Sequence, residues 1–180
     1  MLDTKTDSII TFPSIKLYQV CRKTTKEEVE KLCLVERIKS AMETSWAKVF
    51  GLAAVQIGVP VSMAWFRTPS GKEVTLINPE IHLYRYPMIV PGEGCASIKD
   101  KWYTTQRYQQ IKVKSGDEWF VFNEMAALIA QHLIDHCAGI LVPQREVTVD
   151  MEKVGRNDPC PECLKNDIKI KFKKCKEHNK

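Results

Sequence analysis

Histidine occurs four times in this 180-residue chain, and two of the four stand four residues apart in Gln131-His132-Leu133-Ile134-Asp135-His136. On a helix that spacing puts both imidazoles on one face, where they can share a metal ion. They continue an apolar face begun by Met125, Leu128 and Ile129, so they are expected to point inward. An isolated pair of this kind is more often two histidines satisfied by hydrogen bonds, so it needs companions. One is Pro91-Gly92-Glu93-Gly94-Cys95-Ala96-Ser97, read as a glycine-flanked cysteine in a turn. Its glycines let the backbone approach a metal or substrate closely, and a thiol near a cation loses its proton readily. Another is Gly51-Leu52-Ala53-Ala54-Val55-Gln56-Ile57-Gly58, small residues leading to a side-chain amide. Alone, each would be a turn and a tightly packed helix end. A separate group lies near the end of the chain, where Cys160-Pro161-Glu162-Cys163 is followed, after eleven intervening residues, by Cys175-Lys176-Glu177-His178. Two such ligand pairs would close a tetrahedral zinc shell and make a structural site.

The first three stretches, taken in their order along the chain, resemble the signature of the peptide deformylases, metal-dependent enzymes that remove the formyl group from N-formylmethionyl nascent chains. That family's motifs are GxGxAAxQ, EGCxS and HExDH. Here they stand as Val49-Phe50-Gly51-Leu52-Ala53-Ala54-Val55-Gln56, Glu93-Gly94-Cys95-Ala96-Ser97 and His132-Leu133-Ile134-Asp135-His136. The resemblance covers roughly residues 8–145 and includes the flank Ile77-Asn78-Pro79-Glu80-Ile81. It implies that Cys95, His132 and His136 hold one divalent metal, Fe2+ in the native family, with Zn2+ or Ni2+ able to replace it. A water would take the fourth position. Gln56 and the backbone N–H of Ala96 would stabilise the oxyanion formed on the formyl carbon. Glu93 would pair with Arg107 to brace the cysteine loop. Gly51, Glu93 and Gly94 would belong to the substrate site, and Asp135 would support a ligand from behind. The end of the chain, Gly155-Arg156-Asn157-Asp158-Pro159-Cys160-Pro161, resembles the SEC-C zinc motif of the protein-export motor. Both ligand spacings are wider here than in that motif.

The chain departs from the deformylase pattern at the position that matters most for chemistry. The family places Glu where this sequence has Leu133. That Glu is the general base and acid, and leucine moves no proton; such catalysis is worth about 10²–10⁴ in rate. Val49 replaces the first glycine of motif one, and Trp102 stands where some members carry a substrate-contacting arginine. The resemblance therefore implies N-terminal methionine processing chemistry that is weak or absent. The alternative is a non-catalytic pseudoenzyme that binds formyl peptides or a metal.

These residues need elements to position them. The spacing predicts one long helix over 25–50, with Thr25 as N-cap and Glu27, Glu28 and Glu30 near its first turn. Short strands follow at 61–66, 74–77 and 81–86, and a hairpin at 111–122 turns on Ser115-Gly116-Asp117. A second helix, capped by Asn123, runs to Cys137 and stops at Gly139. The expected class is α+β, with small mixed or antiparallel sheets around a central histidine-bearing helix.

Composition bounds the rest. Hydrophobic residues make up 44% and charged ones 27%, enough for a packed core. No apolar run is long enough to span a membrane, and the N-terminus lacks the layout of a secretory signal. Seven cysteines read as reduced and cytoplasmic, with Cys21, Cys33 and Cys137 as small buried hydrophobes. From Lys153 onward there are nine Lys/Arg against four Asp/Glu, which accounts for the whole net charge of +5. We therefore divide the chain into a neutral body, 1–150, and a basic Cys/His module, 151–180. The body is expected to take an N-formyl peptide or nascent chain. The module is expected to meet ribosome, RNA or an acidic protein.

Overall fold

The computed structural model describes residues 7–148, so the zinc group expected at Cys160, Cys163, Cys175 and His178 lies outside the described residues. The elements run α1 (Lys26–Lys31), α2 (Leu34–Glu43), β1 (Gly51–Ala53), β2 (Met63–Arg67), β3 (Glu73–Ile77), β4 (Glu80–Cys95), β5 (Ile98–Ser115), β6 (Glu118–Asn123) and α3 (Glu124–Cys137). Short 3-10 turns lie at Ile15–Tyr18, Ala54–Ile57 and Val142–Arg145. The strands form two three-stranded sheets, ordered β1-β2-β3 and β4-β5-β6. All of these pairings are antiparallel, so the class is the expected α+β without a mixed sheet. No described helix is long and apolar enough to cross a membrane.

The apolar side chains explain the layering. Strand β2 is buried on both faces. Its Ala64 and Phe66 join Ile111, Val113 and Phe122 of the second sheet and Ala127, Ala130 and Leu133 of α3 in one core. Its Met63 and Trp65 face the other way, onto Val29, Leu34, Ile38 and Ala41 of α1 and α2. Helix α3 thus lies between the two sheets, and its alanines permit close approach. Phe66 and Phe122 meet edge to face across the core with ring centroids 5.5 Å apart.

Several expectations about elements are corrected. The single helix over 25–50 is two helices, because Cys33 adopts a left-handed conformation at φ 48°. The break lets Val29 and Ile38 face the same sheet. Thr25 does cap α1, accepting the Glu28 N–H at 3.2 Å. The strand expected at 81–86 continues to Cys95 and pairs along its length with β5 in a long bulged hairpin. Cys95 therefore sits at a strand end, opposite Ile98, with Ala96 and Ser97 making the turn. Asn123 does precede α3 but makes no capping bond, and its carboxamide oxygen accepts from Gln110 instead. Helix α3 stops as expected, with Gly139 at φ 72° and no room for a Cβ beside the Tyr18 carbonyl.

Candidate metal centre

The end of β4 delivers Cys95 and the C-terminal half of α3 delivers His132 and, in its last turn, His136. One ligand atom from each lies within 4.8 Å of the others. The His136 Nε2 is 3.3 Å from Cys95 Sγ, while its Nδ1 is buried with no hydrogen-bond partner. His132 is oriented from behind, its Nδ1 lying 2.6 Å from Glu93 Oε1. Glu93 in turn is gripped by Arg107 through Nε (2.9 Å) and Nη2 (2.7 Å), and accepts from Thr105. Arg107 reaches Asp135 through Nη1, and Arg145 closes the chain with two further bonds to Asp135 at 3.0 and 2.6 Å. Asp135 was expected beside a ligand. It acts two side chains further out, holding the arginine that holds the glutamate that holds His132.

The electrostatics agree with that geometry. Burial opposes ionisation of Cys95, yet neighbouring His136 and His132 outweigh it and hold the thiol well below its usual range. Burial likewise disfavours charge on His132, but Cys95 and Glu93 push it up to about 9. Glu93 is held below the ordinary carboxylate range by His132 and Arg107 despite its burial. Surroundings that favour an imidazolium beside a thiolate also favour a divalent cation between them. A thiolate and two imidazoles, one clamped through its far nitrogen by a carboxylate, suit Zn2+, Fe2+ or Ni2+. The residues fit a metal.

The group borders a cleft of about 450 Å³. One wall is the segment 46–52, another is the end of β4 with Lys101 and Trp102 of β5, and the floor is α3 from Met125 to Leu133. Gln56 enters from the 3-10 turn after β1. Its Oε1 accepts the Ala53 N–H at 2.9 Å, and its Nε2 lies 3.1 Å from Ser97 Oγ and 3.9 Å from Cys95 Sγ. The amide is thereby locked with its donor toward the metal group. Ala96 is pinned by the Trp46 indole, which donates to its carbonyl at 2.9 Å.

Leu133 lines the same cleft at 2% exposure, packed into the central core beside His132. Gly94 lies under the Trp102 indole, with 3.5 Å between Nε1 and the place a Cβ would occupy. Gly51 borders the cleft, but its missing Cβ is required by β2, since one would fall 2.3 Å from Phe66 Cβ and from the Trp65 carbonyl oxygen. Glu93, expected among the substrate contacts, spends both oxygens on Arg107, Thr105 and His132. Sequence reasoning quoted Ser97 within the cysteine motif without giving it a role, and it missed Thr105 and Arg145. Neither of these two carries a spacing signal, since each reaches the site only through the folded hairpin or the turn after α3.

Fold and site define a class: a small α+β protein whose central helix and a strand-end cysteine form a three-donor group, able to hold one metal beside a ligand-sized cleft. The family model described as polypeptide deformylase matches residues 6–152. The peptide deformylase of Bartonella tribocorum is 32% identical over 146 residues, 74% of this chain and 80% of that protein. That of Campylobacter jejuni is 30% identical over 145 residues, 74% and 82% of the two. Among solved structures, the Thermotoga maritima peptide deformylase aligns with a TM-score of 0.69 at 27% identity, covering 79% of this chain and 99% of that one. A Synechococcus elongatus peptide deformylase, solved in complex with actinonin, shares the fold at a TM-score of 0.72 and 22% identity, with 82% of each chain covered. The chain belongs to the polypeptide deformylase family.

Proposed function

We propose that this protein holds one divalent metal through Cys95, His132 and His136, binds N-formylmethionyl peptide ends beside it, and hydrolyses them weakly or not at all. Family membership and the relatives named peptide deformylase support the substrate class. A bound metal would supply Lewis-acid polarisation and an acidified water. The residues around it would do the rest. The locked Gln56 amide offers a donor for a developing oxyanion, with the Ala96 N–H as its partner, and Glu93 keeps His132 turned to the metal. Leu52, Ile129 and Leu133 give an apolar lining for an unbranched side chain.

The observation that carries the loss of turnover is Leu133, buried in the cleft wall where the family pattern has its general base. No other group in the cleft takes over. Among the described residues that line it, the titratable side chains are Lys48, Glu93, Cys95, Lys101 and His132. Glu93 is fully engaged, and the two lysines are solvent-exposed. Asp135, the other carboxylate near the ligands, is held by Arg107 and Arg145. A non-catalytic binding role follows most directly. Comparing formyl-methionyl peptide hydrolysis by the unmodified chain and by Leu133→Glu tests it. The expected gain is about 10²–10⁴, the usual contribution of a general base. No gain, with the unmodified chain turning over quickly, would refute it.

Two further parts of the reading rest on sequence. The unpaired cysteines of the body support a reducing compartment such as the cytoplasm. The basic module, residues 151–180, is proposed to fold on zinc through Cys160, Cys163, Cys175 and His178 and to contact ribosome, RNA or an acidic protein, on the strength of its charge and ligand spacing.

A further inference from the structure

We infer that the cleft selects formyl peptides that carry acidic residues directly after the formyl-methionine; this rests on the reading of the cleft as a formyl-peptide site. The inference comes from what stands around the opening rather than at the metal group. Two separate segments border the cleft, and each contributes one tryptophan and one lysine: Trp46 and Lys48 before β1, Lys101 and Trp102 on β5. All four are exposed, Trp102 at 61%. Trp46 is fixed by its bond to Ala96, and Trp102 lies against Gly92 and Gly94 of the paired strand. The lysines are free to meet a ligand, since neither has an ion-pair partner among the described residues.

No exposed carboxylate among the described cleft residues offsets them. The one carboxylate among those residues, Glu93, is buried and neutralised by Arg107. A peptide whose first side chain enters the apolar interior must pass its next residues out between these two walls. Carboxylates there meet two cations over a partly apolar surface, whereas lysines in the peptide meet like charge. Discrimination between ligands then comes from the outer positions, independent of whether the formyl group is ever removed.

The test uses the full metal-loaded chain and three C-terminally amidated peptides: formyl-Met-Asp-Glu, formyl-Met-Asn-Gln and formyl-Met-Lys-Lys. Binding is measured by titration calorimetry at low and high salt. At low salt the acidic peptide should bind about 2- to 25-fold tighter than its neutral isostere, since an exposed ion pair is worth up to about fivefold. The lysine peptide should bind weakest. The acidic preference should fade in high salt, and the acidic-to-neutral ratio should fall to near one in the Lys48→Met, Lys101→Met double variant. Equal affinities for the acidic and neutral peptides would overturn the inference and leave the formyl-peptide reading standing. An acidic preference that survives the double variant would also overturn it. Binding of none of the three would overturn both.

Discussion

Arg107 is 3% exposed and bonded to two buried carboxylates, which makes it the hinge of the site at the scale of single residues. Arg107→Met would leave Glu93 and Asp135 charged in a poorly hydrated place, a change that costs about 3–5 kcal/mol when a buried pair is broken. Denaturant melts should show that loss. Chelator competition, run where the variant is still folded, should show metal affinity down by up to about 10–100-fold, because Glu93, which orients His132, loses the arginine that holds it. Arg145 is half exposed and shares its partner with Arg107, so Arg145→Ala should move both readouts in the same direction by less. Thiols give a second residue-scale prediction. Burial pushes Cys21 up to about 11 and Cys137 up to about 12, so neither forms thiolate near neutral pH. Cys33, expected to be buried, is exposed at the break between α1 and α2. Peptide mapping after brief alkylation of the folded protein at pH 7.5 should find Cys33 modified, with Cys21 and Cys137 protected. The three candidate metal ligands are legible in the sequence because motif order and spacing carry them. The relay from His132 to Arg145 is not, since its links lie on β4, β5, α3 and the turn beyond, joined only by folding.

Gln131 shows how elements are held in register. Strand β6 ends at Asn123, opposite Gln110, so Tyr108 further along β5 has no strand on that side. The Gln131 side chain takes the strand's place, accepting the Tyr108 N–H at 3.0 Å and donating to its carbonyl at 2.8 Å. Gln131→Leu, close in size, would orphan both backbone groups and should cost about 1–3 kcal/mol per buried group left unpaired. It should also loosen α3 against β5, visible as faster amide exchange at Tyr108 and along α3. The helix itself was readable from its apolar period and from Gly139. Strand β4 was cut short at Tyr86 in the sequence reading because Pro87 and Pro91 follow. Those prolines are tolerated because β4 pairs with β5 alone and has an open edge. Register shifts at Ile81/Leu83, Val90/Glu93 and Gly94/Cys95 also break the alternation that marks a strand. The break at Cys33 had no sequence signal either, since a left-handed non-glycine residue there is dictated by packing of α1 and α2 on one sheet.

At the scale of the whole molecule, the charge division separates body from tail. Truncation after Asp150 removes most of the net positive charge and should abolish salt-sensitive co-sedimentation with ribosomes or RNA, while the body keeps its own metal. Equal co-sedimentation of full-length and truncated chains would show that the tail does not mediate contact. In the body, the proposed formyl-peptide site keeps its three metal donors, its locked amide and its cleft around a leucine that cannot carry a proton. Single-turnover formate release, with metal-loaded protein in excess over a formyl-methionyl peptide, isolates that step from product release. The peptide should bind and stay formylated for about 10²–10⁴ times longer on the unmodified chain than on Leu133→Glu. Formate release at the same rate from both proteins would refute the role given to Leu133.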